Sequence, residues 1–219
     1  MDSAKEPVHT LEQIKQMMDR GSRFVSLSGW SGIAAGICAL AAAWVAEKNF
    51  KEYAISEGNY QGTSGYHGIV NVSQINRELF ILAVVTFLLA FFFAFLFTWL
   101  RSRKTGVPLW GFMARKVLVN GAVPMIVGAL FILRITGMGL YGLIAPACLL
   151  FYGLALINTS KFTLSEVRYL GYLQLFLGVV NLWFLDYGLY FWAAGFGVLH
   201  IIYGIAMWYR YERNEKAVA

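Results

Sequence analysis

The chain reads as an all-α integral membrane protein whose six transmembrane helices form three antiparallel hairpins. Three observations predict this. Six apolar stretches lie at 24–46, 79–100, 117–135, 140–157, 170–185 and 189–209, against the ~20 residues needed to cross a bilayer, with the fourth and fifth short. The composition is 58% hydrophobic and 14% charged, against about 25% charged in soluble domains. Basic residues also alternate from loop to loop. A soluble fold has too little polar surface to cover so many apolar side chains, whereas lipid accepts them.

Residues 1–23 form a cytoplasmic segment. They mix Asp2, Glu6, Glu12 and Asp19 with Lys5, Lys15, Arg20 and Arg23 and lack an apolar stretch. That is not a signal peptide, so the first span is expected to stay as an anchor. Within the segment, Thr10 and Gln13 have capping-box spacing. Leu11, Ile14, Met17 and Met18 share one face of the helix that follows, away from Glu12, Lys15, Gln16 and Asp19. Such a helix lies in the headgroup plane or docks a cytoplasmic partner.

The first span is rich in small residues. Ser28, Gly32 and Gly36 are spaced by four, and Ala35, Ala39 and Ala43 make a second ridge. Small residues let helix backbones approach closely in lipid. The span is therefore expected at the centre of the bundle, against partners with large side chains. Homodimerisation through Gly32 and Gly36 is the alternative, and the intramolecular use is preferred. A long outer loop is expected over about 47–77, holding Tyr53, Tyr60, Tyr66 and His67 among glycines. It is read as a connector or as a lid over a cavity. The second span carries Phe87, Phe91, Phe92, Phe93, Phe95 and Phe97, and is expected to face lipid or fill grooves around the first.

Pro124 in the third span and Pro146 in the fourth each remove a backbone donor, and bends are expected there. Short turns near 136–139 and 186–188 force antiparallel neighbours. The domain spans 24–209, and a cytoplasmic tail follows at 210–219.

Lys and Arg orient the bundle. One side would carry fourteen of the 18 basic residues: four in the N-terminal segment, then Arg101, Arg103, Lys104, Arg115, Lys116, Lys161, Arg168, Arg210, Arg213 and Lys216. Lys48, Lys51, Arg77 and Arg134 fall on the other. Both termini are then cytoplasmic. The net charge of +6 is accounted for by topology and by attraction to anionic lipid, so membrane lipids are the expected partners and nucleic acid is not.

The hairpins look like repeats. FYGLAL at 151–156 returns as IYGIAM at 202–207, and the pairs Gly121/Gly128, Gly171/Gly178 and Gly29/Gly36 share a seven-residue spacing. Chance spacing among 22 glycines competes with a threefold duplication.

Polar groups inside a membrane are costly and so mark function. His200 lies mid-span, and Gln174 is equally far from the turn on the preceding helix, so the two are expected at one depth and within hydrogen-bonding range. With Tyr203 and Asn181 they make the candidate ligand site, against the blander reading of a satisfied core histidine. Asn120 is expected to bond a neighbouring helix, and so, in the blander reading, is Asn181. Arg134 and Asp186, at the outer ends of the third and fifth spans, are candidates for a gating ion pair; the alternative is two charges snorkelling to headgroups. Cys38 and Cys148 are read as small packing residues. No cofactor or metal is expected. A second intramembrane histidine for haem is lacking, and zinc-protease and phosphate-loop motifs are absent. Without paired interior acids, an enzyme is not the expected class.

The opening residues LEQIKQMMDRGSRFVSLSGWSGIAAGICAL, 11–40, resemble the start of a group of uncharacterised bacterial multi-pass inner-membrane proteins. These share a short charged helix followed by a Ser/Gly-rich first span. The resemblance implies a bacterial cytoplasmic membrane and carries no activity. The function expected is non-enzymatic: binding or sensing a small or lipophilic molecule, or a partner, within the bundle. The alternatives are a small-solute permease, with a homo-oligomer as its assembled form, and an accessory subunit of a membrane complex.

Overall fold

A computed structural model of the chain describes residues 28–60, 72–105 and 110–213. Among these the regular structure is helical. The helices are α1 (Gly29–Tyr60), α2 (Val72–Thr105), α3 (Phe112–Gly137), α4 (Ile144–Thr159), α5 (Ser165–Asn181), α6 (Gly188–Trp192) and α7 (Leu199–Met207). A π-helical segment, Ala193–Val198, joins α6 to α7, and a second, Trp208–Glu212, extends α7. Residues 188–212 thus form one continuous rod. The N-terminal segment and its expected surface helix lie outside the described residues.

Five stretches are long and apolar enough to cross a membrane: Gly29–Asn49, Ile81–Lys104, Phe112–Gly137, Tyr141–Thr159 and Leu185–Tyr211. The fifth expected span, 170–185, differs. Its helix α5 has 17 residues and ends at Asn181, where the Asn181 side-chain amide donates to the Phe184 carbonyl at 2.9 Å and the chain turns. At ~1.5 Å per residue, α5 is shorter than the ~30 Å hydrocarbon core.

The outer loop expected over 47–77 is corrected too. Helix α1 continues to Tyr60 and α2 begins at Val72. The sequence from Glu47 to Glu57 contains no glycine or proline and spaces Glu47 and Lys51, and Lys48 and Glu52, four apart. That pattern supports a solvated helix beyond the apolar stretch. What remains of the loop, 61–71, lies outside the described residues.

Glycine decides which helices touch. On α1, every buried residue over 29–49 is small: Gly29, Ser31, Gly32, Gly36, Ala39, Ala42, Ala43 and Ala46. This ridge meets the rod in antiparallel register. A Cβ placed on Gly29 would come 2.5 Å from the Gly204 carbonyl oxygen, and one on Gly204 would come 2.6 Å from that of Gly29. Seven residues along, a Cβ on Gly36 would come 2.7 Å from the Gly197 oxygen. So Gly32 and Gly36 are occupied within the chain: they meet the backbone of a second small ridge, Gly197 and Gly204, together with the large side chains of Tyr203 and Ile201.

The α4/α5 contact repeats this design. A Cβ on Gly153 would lie 2.9 Å from the Gly171 carbonyl oxygen, and one on Gly171 would lie 3.0 Å from that of Gly153. Gly153 and Gly204 are the central glycines of the FYGLAL and IYGIAM segments. The two motifs thus occupy equivalent places at two crossings. Helix α3 packs on α4 through Gly128 against Phe151 and Gly121 against Thr159, while α2 packs chiefly on α1.

Neither proline breaks its helix. Pro146 is the third residue of α4, in the first turn, where its missing N–H has no intrahelical partner to lose. Helix α3 runs on through Pro124. It ends at Gly137, and Gly139 just beyond the cap has a φ of +76° that suits the closing turn. There Leu140 N–H bonds to Ile135 O and Gly139 N–H to Thr136 O, a Schellman pattern.

Candidate functional site

The best-buried polar group cluster sits where α4, α5 and the rod meet, and it is built on one backbone carbonyl. In the π-helical segment the Leu199 N–H bonds back five residues to the Ala194 oxygen, so the Gly195 oxygen loses its ordinary α-helical donor. Two side chains use it instead. Gln174 Nε2 donates to Gly195 O at 2.8 Å, and His200 Nδ1 lies 3.0 Å from the same atom. Such π-segments recur at functional sites because they release backbone groups.

That contact assigns the imidazole. A carbonyl only accepts, so Nδ1 carries a proton; a ring buried in this apolar surround without a counter-charge stays uncharged, so Nε2 is an acceptor. Tyr152 Oη, 2.8 Å from Nε2, therefore donates. His200 is neutral, with both nitrogens engaged. Its ring also stacks against Phe196 at 5.9 Å and Tyr152 at 5.4 Å, and the Trp192 ring lies tilted against Phe196 at 5.2 Å.

Gln174 and His200 do share a depth, as expected, but they meet through the Gly195 carbonyl rather than each other. Gly195 is needed for this: a Cβ there would come 2.6 Å from Gln174 Oε1 and collide with Leu149. Oε1 packs over the glycine Cα and has no hydrogen-bond partner.

The remaining candidates divide. Tyr203, one turn beyond His200, has a buried hydroxyl without a partner. Asn181 is fully buried with an unpartnered Oδ1, but it lies seven residues from Gln174, about 10 Å along α5, and serves the turn. Arg134 and Asp186 are both exposed, and no ion pair joins them. Solvation at the helix ends keeps them apart at little cost. Asn120 donates within its own helix to Lys116 O, and its backbone oxygen receives Asn158 Nδ2 from α4 at 2.8 Å. Cys38 and Cys148 are free thiols.

Two groups escaped the sequence reading. Tyr152 occupies in FYGLAL the place of Tyr203 in IYGIAM, and that alignment was the available signal. Glu166, in the first turn of α5, accepts from Arg210 Nη1 at 2.7 Å and from Tyr211 Oη at 3.0 Å. It ties the start of α5 to the end of the rod. Around it lies a basic end, where Lys116 stands over the Phe112 and Phe162 rings and Arg213 over Tyr209.

Membrane-length apolar helices, glycine-mediated crossings and a small buried polar centre define the class: a helical membrane-protein bundle. Compared with known families, curated proteins and solved structures, the chain gives no match.

Proposed function

We propose that this is a non-enzymatic protein of a bacterial inner membrane that binds or senses a small or lipophilic molecule within its bundle. It crosses the membrane six times as three hairpins, with α5 as the short span and both termini cytoplasmic. One observation carries the binding reading. The polar centre does not satisfy itself: the Tyr203 hydroxyl is buried without a partner, one turn from the neutral His200–Tyr152 pair. Unsatisfied polar atoms are expensive where water is scarce, and they mark places that a ligand completes.

Native mass spectrometry of the gently purified protein tests this. A specific retained species, weakened by His200→Ala or Gln174→Ala, is the expected result. A protein carrying bulk lipid only would overturn binding and favour an accessory role in a larger complex. The second reading, a permease for small solutes, is favoured by the polar groups that follow one another along the rod from His200 through Tyr203 to Arg210. It requires flux into proteoliposomes. Orientation has a separate test: Ser3→Cys and Ala217→Cys should resist an impermeant thiol reagent in intact cells, while Ser64→Cys should label. Labelling at Ser3→Cys would reverse the topology.

A further inference from the structure

Tyr203 stands between the polar centre and the basic end. Its ring lies against Gly32 of α1, where a Cβ would come 3.3 Å from Tyr203 Cδ1; the glycine leaves the ring its place. Its hydroxyl is buried and without a hydrogen-bond partner, although Tyr152, Glu166 and Tyr211 are near enough to act on it electrostatically. Those neighbours are already committed. Tyr152 donates to His200, and Glu166 receives both Arg210 and Tyr211. Gln174 Oε1 differs, because it is packed against the Gly195 backbone, a position that allows at most a weak Cα–H contact and no ligand.

We propose that the Tyr203 hydroxyl anchors a binding site for a small uncharged hydrogen-bonding molecule, between water and glycerol in size, that enters from the basic end past the Arg210–Glu166 pair. The proposal rests on the reading that the bundle holds a ligand, and it names that ligand's class. Charge is excluded by the surroundings. Tyr152, Tyr203 and His200 are neutral, and the nearby carboxylate of Glu166 is already paired. An ion at Tyr203 would be buried without a counter-charge, which costs several kcal/mol. Size is limited because the elements around the site already touch: α1 and the rod through Gly29 and Gly204, α4 and the rod through Tyr152 and His200.

Direction follows from what closes the other approach. Toward the far end, Gly195 is packed on Leu149 and Gln174, the Trp192 ring lies tilted against Phe196, and Phe196 stacks on His200. At the basic end, α5 and the rod are joined by side chains. Arg210 is 68% exposed and Glu166 is 15% exposed, so the pair straddles the boundary between solvent and interior and can part without moving a helix.

The test uses the full chain in lipid nanodiscs with 13C at the tyrosine Cζ. The Tyr203 resonance is identified by its loss in Tyr203→Phe, a change that removes only an unpaired hydroxyl and so keeps the fold. Glycerol and urea are the neutral probes, and guanidinium is the charged probe of urea's shape. A saturable shift of the Tyr203 signal with glycerol or urea, absent with guanidinium, is expected. Glycerol retention in Tyr203→Phe should fall by about tenfold, the worth of one hydrogen bond. An equal shift with guanidinium would overturn the uncharged class. If no probe moves the signal and Tyr203→Phe still retains the species seen by mass spectrometry, the site is not at Tyr203, while binding within the bundle stands. If no probe moves the signal and no species is retained, both fall.

Discussion

Helices α1 and α2 are neighbours in sequence and in space, and they behave in opposite ways. The more apolar of the two is α2, yet over 81–104 only Thr86 and Arg101 are buried, while Phe87, Phe91, Phe92 and Phe95 are exposed. Over 29–49, α1 buries eight residues, all Gly, Ala or Ser. In water the Phe-rich helix would be the core. In lipid there is no hydrophobic force to bring it inward, and close backbone approach selects the partners instead. Small residues therefore mark the contacts, and large ones mark the lipid face.

The sharpest way to break this contrast is to enlarge a glycine. Gly204→Leu would put a side chain into the backbone of α1, with a Cβ 2.6 Å from the Gly29 oxygen and 2.7 Å from the Ile33 nitrogen. Backbone cannot swing aside as a side chain can. A destabilisation of about 3 kcal/mol or more is expected, read as loss of folded protein in steric-trapping or detergent-unfolding measurements. A value near zero would mean that α1 and the rod do not cross there.

Alanine at the two crossings sharpens the comparison. Gly29→Ala meets the Gly204 oxygen at 2.5 Å and the Trp208 nitrogen at 2.6 Å, whereas Gly171→Ala first meets the flexible Ile157 side chain at 2.8 Å. The same measurement should give about 2 kcal/mol for the first and about 1 kcal/mol for the second. The reverse order would show that backbone contact does not make the α1–rod crossing the less forgiving of the two.

A similar cost is expected at the polar centre. His200→Ala leaves the Tyr152 hydroxyl unpaired but leaves Gly195 O its bond from Gln174. Loss of the ring and orphaning of a buried hydroxyl should together cost about 2 kcal/mol. Adding Tyr152→Phe to His200→Ala should recover part of it, and a double-mutant cycle reads the coupling. Strict additivity would deny the bond. The smallest effect belongs to α2. Phe91 is 63% exposed, and Phe91→Leu should change stability by less than about 0.5 kcal/mol. A larger loss would mean that this face packs on something other than lipid.

Much of this was legible residue by residue. Gln174 and His200 were readable as partners in depth because a helical hairpin aligns residues equidistant from its turn. Their meeting point was not, because hydropathy and spacing carry no sign of a shift from i−4 to i−5 bonding at Ala193–Val198. Tyr152 was hidden by its type, since a tyrosine in an apolar run looks like packing until a neighbour needs its hydroxyl. Arg134 and Asp186 had complementary charge and similar height, but exposed charges are satisfied by solvent and need not converge. The helical continuation of α1 to Tyr60 was missed because the reading stopped where the apolar residues stop, and a helix outside the hydrocarbon need not be apolar.

The sequence by itself determined the membrane-helix class, the lengths of most apolar stretches, the basic end and the importance of the small residues on α1. These depend on transfer of side chains to lipid and on local spacing, which are properties of the chain alone. Only the tertiary structure decided that Gly29 meets Gly204 while Gly153 meets Gly171, that two side chains gather on the Gly195 carbonyl, and that the Tyr203 hydroxyl is left over. Those outcomes depend on which backbones come within contact distance. In lipid that choice rests on steric fit between helices far apart in the sequence, not on how apolar each one is.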